Sequence, residues 1–199
     1  MTYTVPNILT VLRLLAAPGV AVSFLYFHRP YADWFALILF LSAAVTDWFD
    51  GYLARSLGQE TRLGAMLDPI ADKAMVIIAL MVIVGYSSYS PWLVLPATVI
   101  SFREVFVSGL REFLGSASAT LKVTKLAKWK TTAQMVAIAV LFSQGVFEHY
   151  AHGQLGLFYG AELWAGRLGL VLLWLAAILT FITGWEYFTK ALPHLKDDR

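Results

Sequence analysis

The 199-residue sequence contains no cysteine, which removes disulfides, thiolate metal sites and thiol nucleophiles from consideration. A metal site in this chain would have to use oxygen or imidazole ligands. Charge is scarce too: Asp, Glu, Lys and Arg make up 14% of the residues against 59% hydrophobic ones, where soluble domains carry about 25% charged residues. Lipid is therefore expected to be the main solvent. A net charge of +2, without a basic stripe interleaved with stacking aromatics, gives no support for a nucleic-acid partner. The start, Met1-Thr2-Tyr3-Thr4-Val5-Pro6-Asn7, lacks the basic region of a secretory signal, and Arg13 interrupts the apolar run behind it, so this segment is expected to stay in the mature chain. No internal repeat or low-complexity segment divides the sequence, and residues 1–199 are read as one membrane domain.

A bilayer core takes about 20 residues of helix per crossing. Apolar stretches of that order, bounded by charge or by Gly and Pro, fall at roughly 7–27, 32–53, 66–86, 91–114, 131–148 and 161–187. The expectation is an all-α polytopic membrane protein with six transmembrane helices. Six crossings put both termini on one side, and that side also collects Arg55, Arg62, Arg111, Lys122, Lys125, Lys128, Lys130, Lys190, Lys196 and Arg199, against Arg29 and Arg167 opposite. The Lys/Arg bias makes the termini cytoplasmic. Trp34, Trp92, Trp164 and Trp185 fall near span ends, as interfacial anchors do.

Four of the seven aspartates crowd into one short stretch. Asp47-Trp-Phe-Asp50-Gly51-Tyr-Leu-Ala54-Arg55 precedes an eight-residue gap and then Gly64-Ala-Met-Leu-Asp68-Pro-Ile-Ala-Asp72. Spacings of three and four put each pair of acids on one helix face, and the short connection makes the two helices antiparallel neighbours. Four ionised carboxylates at a membrane boundary need compensation, since each costs about 2.5–3.5 kcal/mol at a span centre. A hard divalent cation supplies it, carboxylate oxygens being its preferred ligands. Gly51 and Gly64 would let a ligand or a facing backbone approach closely, and Arg55 offers a fork for a phosphate.

The pattern Asp47-x2-Asp50-Gly51-x2-Ala54-Arg55-x8-Gly64-x3-Asp68-x3-Asp72 resembles, without a departure, the signature of the CDP-alcohol phosphotransferases. The resemblance implies a six-helix membrane fold, usually homodimeric, with a polar cavity open to the cytosol and inner leaflet of a bacterial inner membrane. It implies transfer of a phosphatidyl group from CDP-diacylglycerol to an alcohol with release of CMP, using Mg²⁺ or Mn²⁺, as two ions. By carry-over Asp47, Asp50 and Asp68 are metal ligands and Asp72 is a ligand or the general base. Gly51, Ala54 and Arg55, with Asp47 and Gly64, would lie beside the CDP moiety, and Asn7 and Thr10 on its nucleotide side.

The acceptor must be read elsewhere. Arg103-Glu104-x3-Ser108-Gly109-Leu-Arg111-Glu112 lies on the fourth span, with Arg103 and Arg111 near one face, and Lys128-Trp-Lys130-Thr131-Thr132-Ala-Gln134 opens the fifth. Arg103, Arg111, Lys128 and Lys130 together suit an anionic acceptor, and these segments, with Pro6-Asn7-Ile-Leu-Thr10-Val-Leu-Arg13, resemble the branch of the family whose acceptor is glycerol 3-phosphate. Relatives that use inositol phosphate, serine or phosphatidylglycerol remain alternatives. So does a divalent-cation transporter, although its carboxylates should continue across the membrane, and the sequence reading finds no comparable acids in the outer halves of the spans.

Overall fold

The computed structural model describes residues 4–57, 61–115, 125–151 and 160–195, with the side chains of 5, 48–57, 125, 127 and 128 outside that description. Among the described residues the secondary structure is helical throughout: α1 (Val5–Tyr26), α2 (Tyr31–Leu57), α3 (Arg62–Tyr86), α4 (Pro91–Leu114), α5 (Lys125–Ala151) and α6 (Ala161–Ala191), then a 3₁₀ turn at Leu192–His194. Their starts and stops have local causes. Pro6 and Pro91 sit in the first turns of α1 and α4, where a missing N–H costs nothing. Thr61 caps α3 by accepting from the Gly64 N–H at 3.0 Å, and Gly115, at φ +52°, ends α4 in a conformation that glycine adopts most readily. All six expected segments are helices. α3 and α5 start four and six residues earlier than expected, because polar residues at the border of an apolar run can continue a helix into water.

The helices pack in a ring, α1–α2–α5–α6–α4–α3, with α3 also touching α5 across the middle. Small residues let them approach: Ala17, Ala36, Ala79, Ala137 and Ala176 are fully buried, and Gly169 of α6 leaves room for Leu141 of α5. Such small-residue contacts are how helices pack tightly when lipid provides no hydrophobic drive between them. Phe40, Met75, Leu80, Ile100, Ile138 and Leu173 fill the centre. The outside is as apolar as the inside, with Leu25, Phe102, Trp164, Val171 and Phe181 all exposed. Among the described residues three helical stretches, Pro6–Tyr26, Pro91–Leu114 and Ala161–His194, are long and apolar enough to cross a membrane.

Polar residues gather at the two ends of the ring. At the end opposite the acidic cluster, the Arg29 guanidinium grips the buried Asp33 carboxylate at 2.7 and 2.9 Å and reaches Glu148 at 3.5 Å. This corrects one expectation, since Asp33 and Glu148 do place acids in the outer halves. Both are engaged by Arg29, however, and the apolar core of Ala17, Val20, Phe40, Met75 and Leu80 lies between them and the other end. The arginine is held in its charged form above the ordinary range, chiefly by its hydrogen bonds to Asp33.

Candidate active site

At the end of the ring that holds the chain start, α1 runs beside α2 and α3 and supplies a ladder of polar side chains. Asn7, Thr10 and Arg13 recur every three residues and therefore share one face. The Thr61 hydroxyl donates to Asn7 Oδ1 at 2.7 Å, which ties the start of α3 to α1. A turn deeper, the Thr10 hydroxyl donates to Asp68 Oδ1 at 2.7 Å. Deeper again, Arg13 Nη1 lies 2.5 Å from Asp47 Oδ1 and 2.7 Å from Asp72 Oδ1. Asp47 of α2 and Asp72 of α3 thus meet at a single nitrogen. The expected convergence of these two helices is present, mediated by a third.

Arg13 is 3% exposed, whereas the Asp47 and Asp72 side chains are about half open. Each carboxylate accordingly gives one oxygen to the guanidinium and leaves the rest of itself open. Gly64 is packed rather than open: a Cβ there would lie 2.8 Å from Asn7 Oδ1 and 3.3 Å from Thr61 Oγ1. Its lack of a side chain is used for the α1–α3 contact. Asp50, Gly51, Ala54 and Arg55 lie on α2, but their side-chain positions are outside the described residues.

Across the ring, the opposite charge collects on α4 and α5, packed against α6. Glu104, 8% exposed, receives Lys130 Nζ at 2.5 Å and Arg103 Nη1 at 3.5 Å. Arg111 lies over the Tyr187 ring, 5.1 Å from its centre, a cation–π contact. Two of these three cations, Lys130 and Arg103, therefore share the one Glu104 carboxylate. The Arg103 Nε and the Tyr187 hydroxyl are buried with no hydrogen-bond partner among the described residues, and buried polar groups are rarely left so. Gly184 of α6 makes the close approach possible, since a Cβ there would meet Arg103 Cγ at 2.8 Å. The structure brings Arg103, Arg111 and Lys130 together; the Lys128 side chain is outside the described residues.

Do these acids suit a divalent cation? Among the described residues no three acidic or imidazole side chains form a closed cage. Mg²⁺ seldom uses such a cage: it takes one or two protein carboxylates and completes its octahedron with water and substrate phosphates. Half-open Asp47 and Asp72, with Asp68 one turn before Asp72, fit that requirement. In the sequence Arg13 reads as an interruption of an apolar run and as the end of a segment that resembles the family, and Glu104 as one residue of the fourth-span segment; neither is assigned a role of its own there. Tyr187 carried no signal, being one aromatic among many.

The residue patterns and the helical ring define a membrane-type transferase scaffold, and residues 3–182 match the family model for CDP-alcohol phosphatidyltransferase. The chain belongs to that family. It is 63% identical, with both chains covered in full, to the CDP-diacylglycerol–glycerol-3-phosphate 3-phosphatidyltransferase of Cereibacter sphaeroides. It is 37% identical to proteins of the same name from Escherichia coli K12 and Shigella flexneri, covering 99% of this chain and 100% of theirs.

Proposed function

We propose that the chain transfers the phosphatidyl group of CDP-diacylglycerol to sn-glycerol 3-phosphate, giving phosphatidylglycerophosphate and CMP. The observation that carries this reading is the pairing of an acidic cluster on α1–α3 with a cationic cluster on α4–α6 at the same end of one ring, in a chain of this family. The acceptor hydroxyl oxygen attacks the phosphatidyl phosphorus. The phosphorus–oxygen bond to CMP breaks, and the hydroxyl proton passes to a carboxylate, for which Asp72 is the candidate. Mg²⁺ or Mn²⁺, as two ions on Asp47, Asp50, Asp68 and Asp72, would neutralise the pyrophosphate and stabilise charge on the departing CMP. Gly51, Ala54 and Arg55 are assigned to the CDP moiety, with Asn7, Thr10 and Gly64 bracing the α1–α3 side of that pocket.

Arg103, Arg111 and Lys130, with Lys128, are assigned to the phosphate of the acceptor. The buried Arg103 Nε and Tyr187 hydroxyl supply further donors for phosphate or glycerol oxygens. A neutral acceptor such as serine would leave this excess of cations uncompensated, which favours the phosphorylated polyol. The membrane setting proposed is six crossings of a bacterial inner membrane, with both termini and the site on the cytosolic side and the protein as a homodimer. CMP release from CDP-diacylglycerol and Mg²⁺ should depend on glycerol 3-phosphate when it is compared with inositol phosphate, serine and phosphatidylglycerol. CMP release with another acceptor and none with glycerol 3-phosphate would overturn the assignment.

A further inference from the structure

Arg13 stands where a metal centre would leave no obvious need for an arginine. It is buried, among the described residues it reaches Asp47 and Asp72 through one nitrogen, and a guanidinium keeps its charge at any ordinary pH. We infer that Arg13 is a resident counter-cation of the carboxylate cluster, which ties Asp47 to Asp72 and makes full occupancy by divalent ions depend on the nucleotide diphosphate.

This role for Arg13 rests on the metal-dependent reading above and follows from charge and from atoms. Four ionised aspartates carry four negative charges, and Arg13 cancels one of them permanently. Three remain against the four positive charges of two divalent ions. The pyrophosphate of the donor supplies the missing negative charge, so ion and nucleotide each favour the other's binding, and by linkage the two effects are equal. The geometry agrees with this division. Arg13 occupies Oδ1 of both Asp47 and Asp72, which leaves the two Oδ2 atoms as the ligands on offer. Thr10, one turn away on the same helix, likewise takes Oδ1 of Asp68. α1 thus fixes three carboxylates from behind and spends one oxygen of each. Without the guanidinium, Asp47 and Asp72 would gain an oxygen apiece and the cluster a full negative charge.

The test is Mn²⁺ binding to metal-stripped, detergent-purified full-length protein, followed by electron paramagnetic resonance with and without CDP, for the native chain, Arg13→Gln, Arg13→Lys and Asp68→Asn. In the native chain CDP should tighten Mn²⁺ binding about tenfold. Arg13→Gln should bind Mn²⁺ alone about tenfold tighter than the native chain and lose most of the response to CDP. Arg13→Lys, which keeps the charge, should stay within about threefold of native on both counts. Unchanged or weaker Mn²⁺ binding in Arg13→Gln, or an Arg13→Lys that behaves like Arg13→Gln, would overturn the inference while leaving the metal-site reading intact, provided Asp68→Asn weakens binding. If Arg13→Gln does not fold, an absence of coupling between CDP and Mn²⁺ in the native chain and Arg13→Lys overturns it equally. Mn²⁺ binding that is absent, or indifferent to Asp68→Asn, removes the metal-site reading and this inference with it.

Discussion

Glu104 holds the cationic side of the site in balance, and replacing it with glutamine tests that balance directly. Its carboxylate is buried, at 2.5 Å from Lys130 Nζ and 3.5 Å from Arg103 Nη1. Glutamine keeps the shape and one carbonyl acceptor but removes the charge. Breaking a buried ion pair by neutralising one partner costs about 3–5 kcal/mol, because the remaining charges lie in a poor dielectric without an anion. A single hydrogen bond between membrane helices averages only about 0.6 kcal/mol, so the measured size tells which description holds. At about 2–4 °C per kcal/mol for a chain of this length, Glu104→Gln should lower the unfolding midpoint in detergent by about 6–20 °C, read by tryptophan fluorescence. The same variant should recover more stability from glycerol 3-phosphate than the native protein does, since an anion that binds only the folded form stabilises it by mass action. A drop of less than about 2 °C would refute the ion-pair account. Equal stabilisation of both proteins by glycerol 3-phosphate would refute the placement of the acceptor phosphate beside these cations.

Three other outcomes follow from the geometry. Asp72→Asn should reduce turnover at least about 100-fold, the lower range for a lost general base, while Mn²⁺ is still bound in the same preparation by the remaining aspartates; loss of turnover and of Mn²⁺ binding together would make Asp72 chiefly a ligand. Thr10→Val removes a hydrogen bond to a charged acceptor worth about 1.5–3 kcal/mol and should lower kcat/KM about 10- to 100-fold, with Thr10→Ser restoring most of it; an active Thr10→Val would mean that Asp68 does not need this donor. Gly145→Ala pushes a methyl group into the Arg29–Asp33 pair and should cost about 1–3 kcal/mol of stability by overpacking, visible as a lower unfolding midpoint with kcat unchanged at permissive temperature. An unaltered midpoint there would show that the outer ion pair can shift at no cost.

The helices were legible because their signal is local. Apolar runs of membrane length, broken by Pro, Gly and charge, give element number and order directly, and six segments read in this way are six helices. Their ends were less so: α5 begins at Lys125 rather than near Thr131, since lysines that border a hydrocarbon core can be as helical as the residues within it. The acidic motif was legible for a similar reason, as spacings of three and four along two neighbouring helices imply a shared face. What the residues could not convey was the company those acids keep. Arg13 lies 34 residues from Asp47 and 59 from Asp72, and although it shares a helix face with Asn7 and Thr10, that local spacing does not say which acids it meets. Arg29 and Asp33, by contrast, are four apart and were within reach of a local rule, but Asp33 also reads as an ordinary acid in the first turn of a helix.

The positions of Arg13 and Glu104 make the two sides of the ring counterparts. Among the described residues, a single buried cation sits among acids on the α1–α3 side, and a single buried acid sits among cations on the α4–α6 side. In each case the minority charge has a fixed partner on a neighbouring helix, and the majority charges are left in excess. An isolated excess of either sign would be costly at a membrane boundary, and the minority residue reduces that cost without abolishing the field that draws a ligand. Substitution of either one should therefore disturb the empty protein more than the ligand-filled one, because the ligand brings the charge that the substitution unbalances: divalent ions where Arg13 is lost, phosphate where Glu104 is lost. Comparing the two variants under both ligands separates this account from simple loss of packing, which neither ligand would repair selectively.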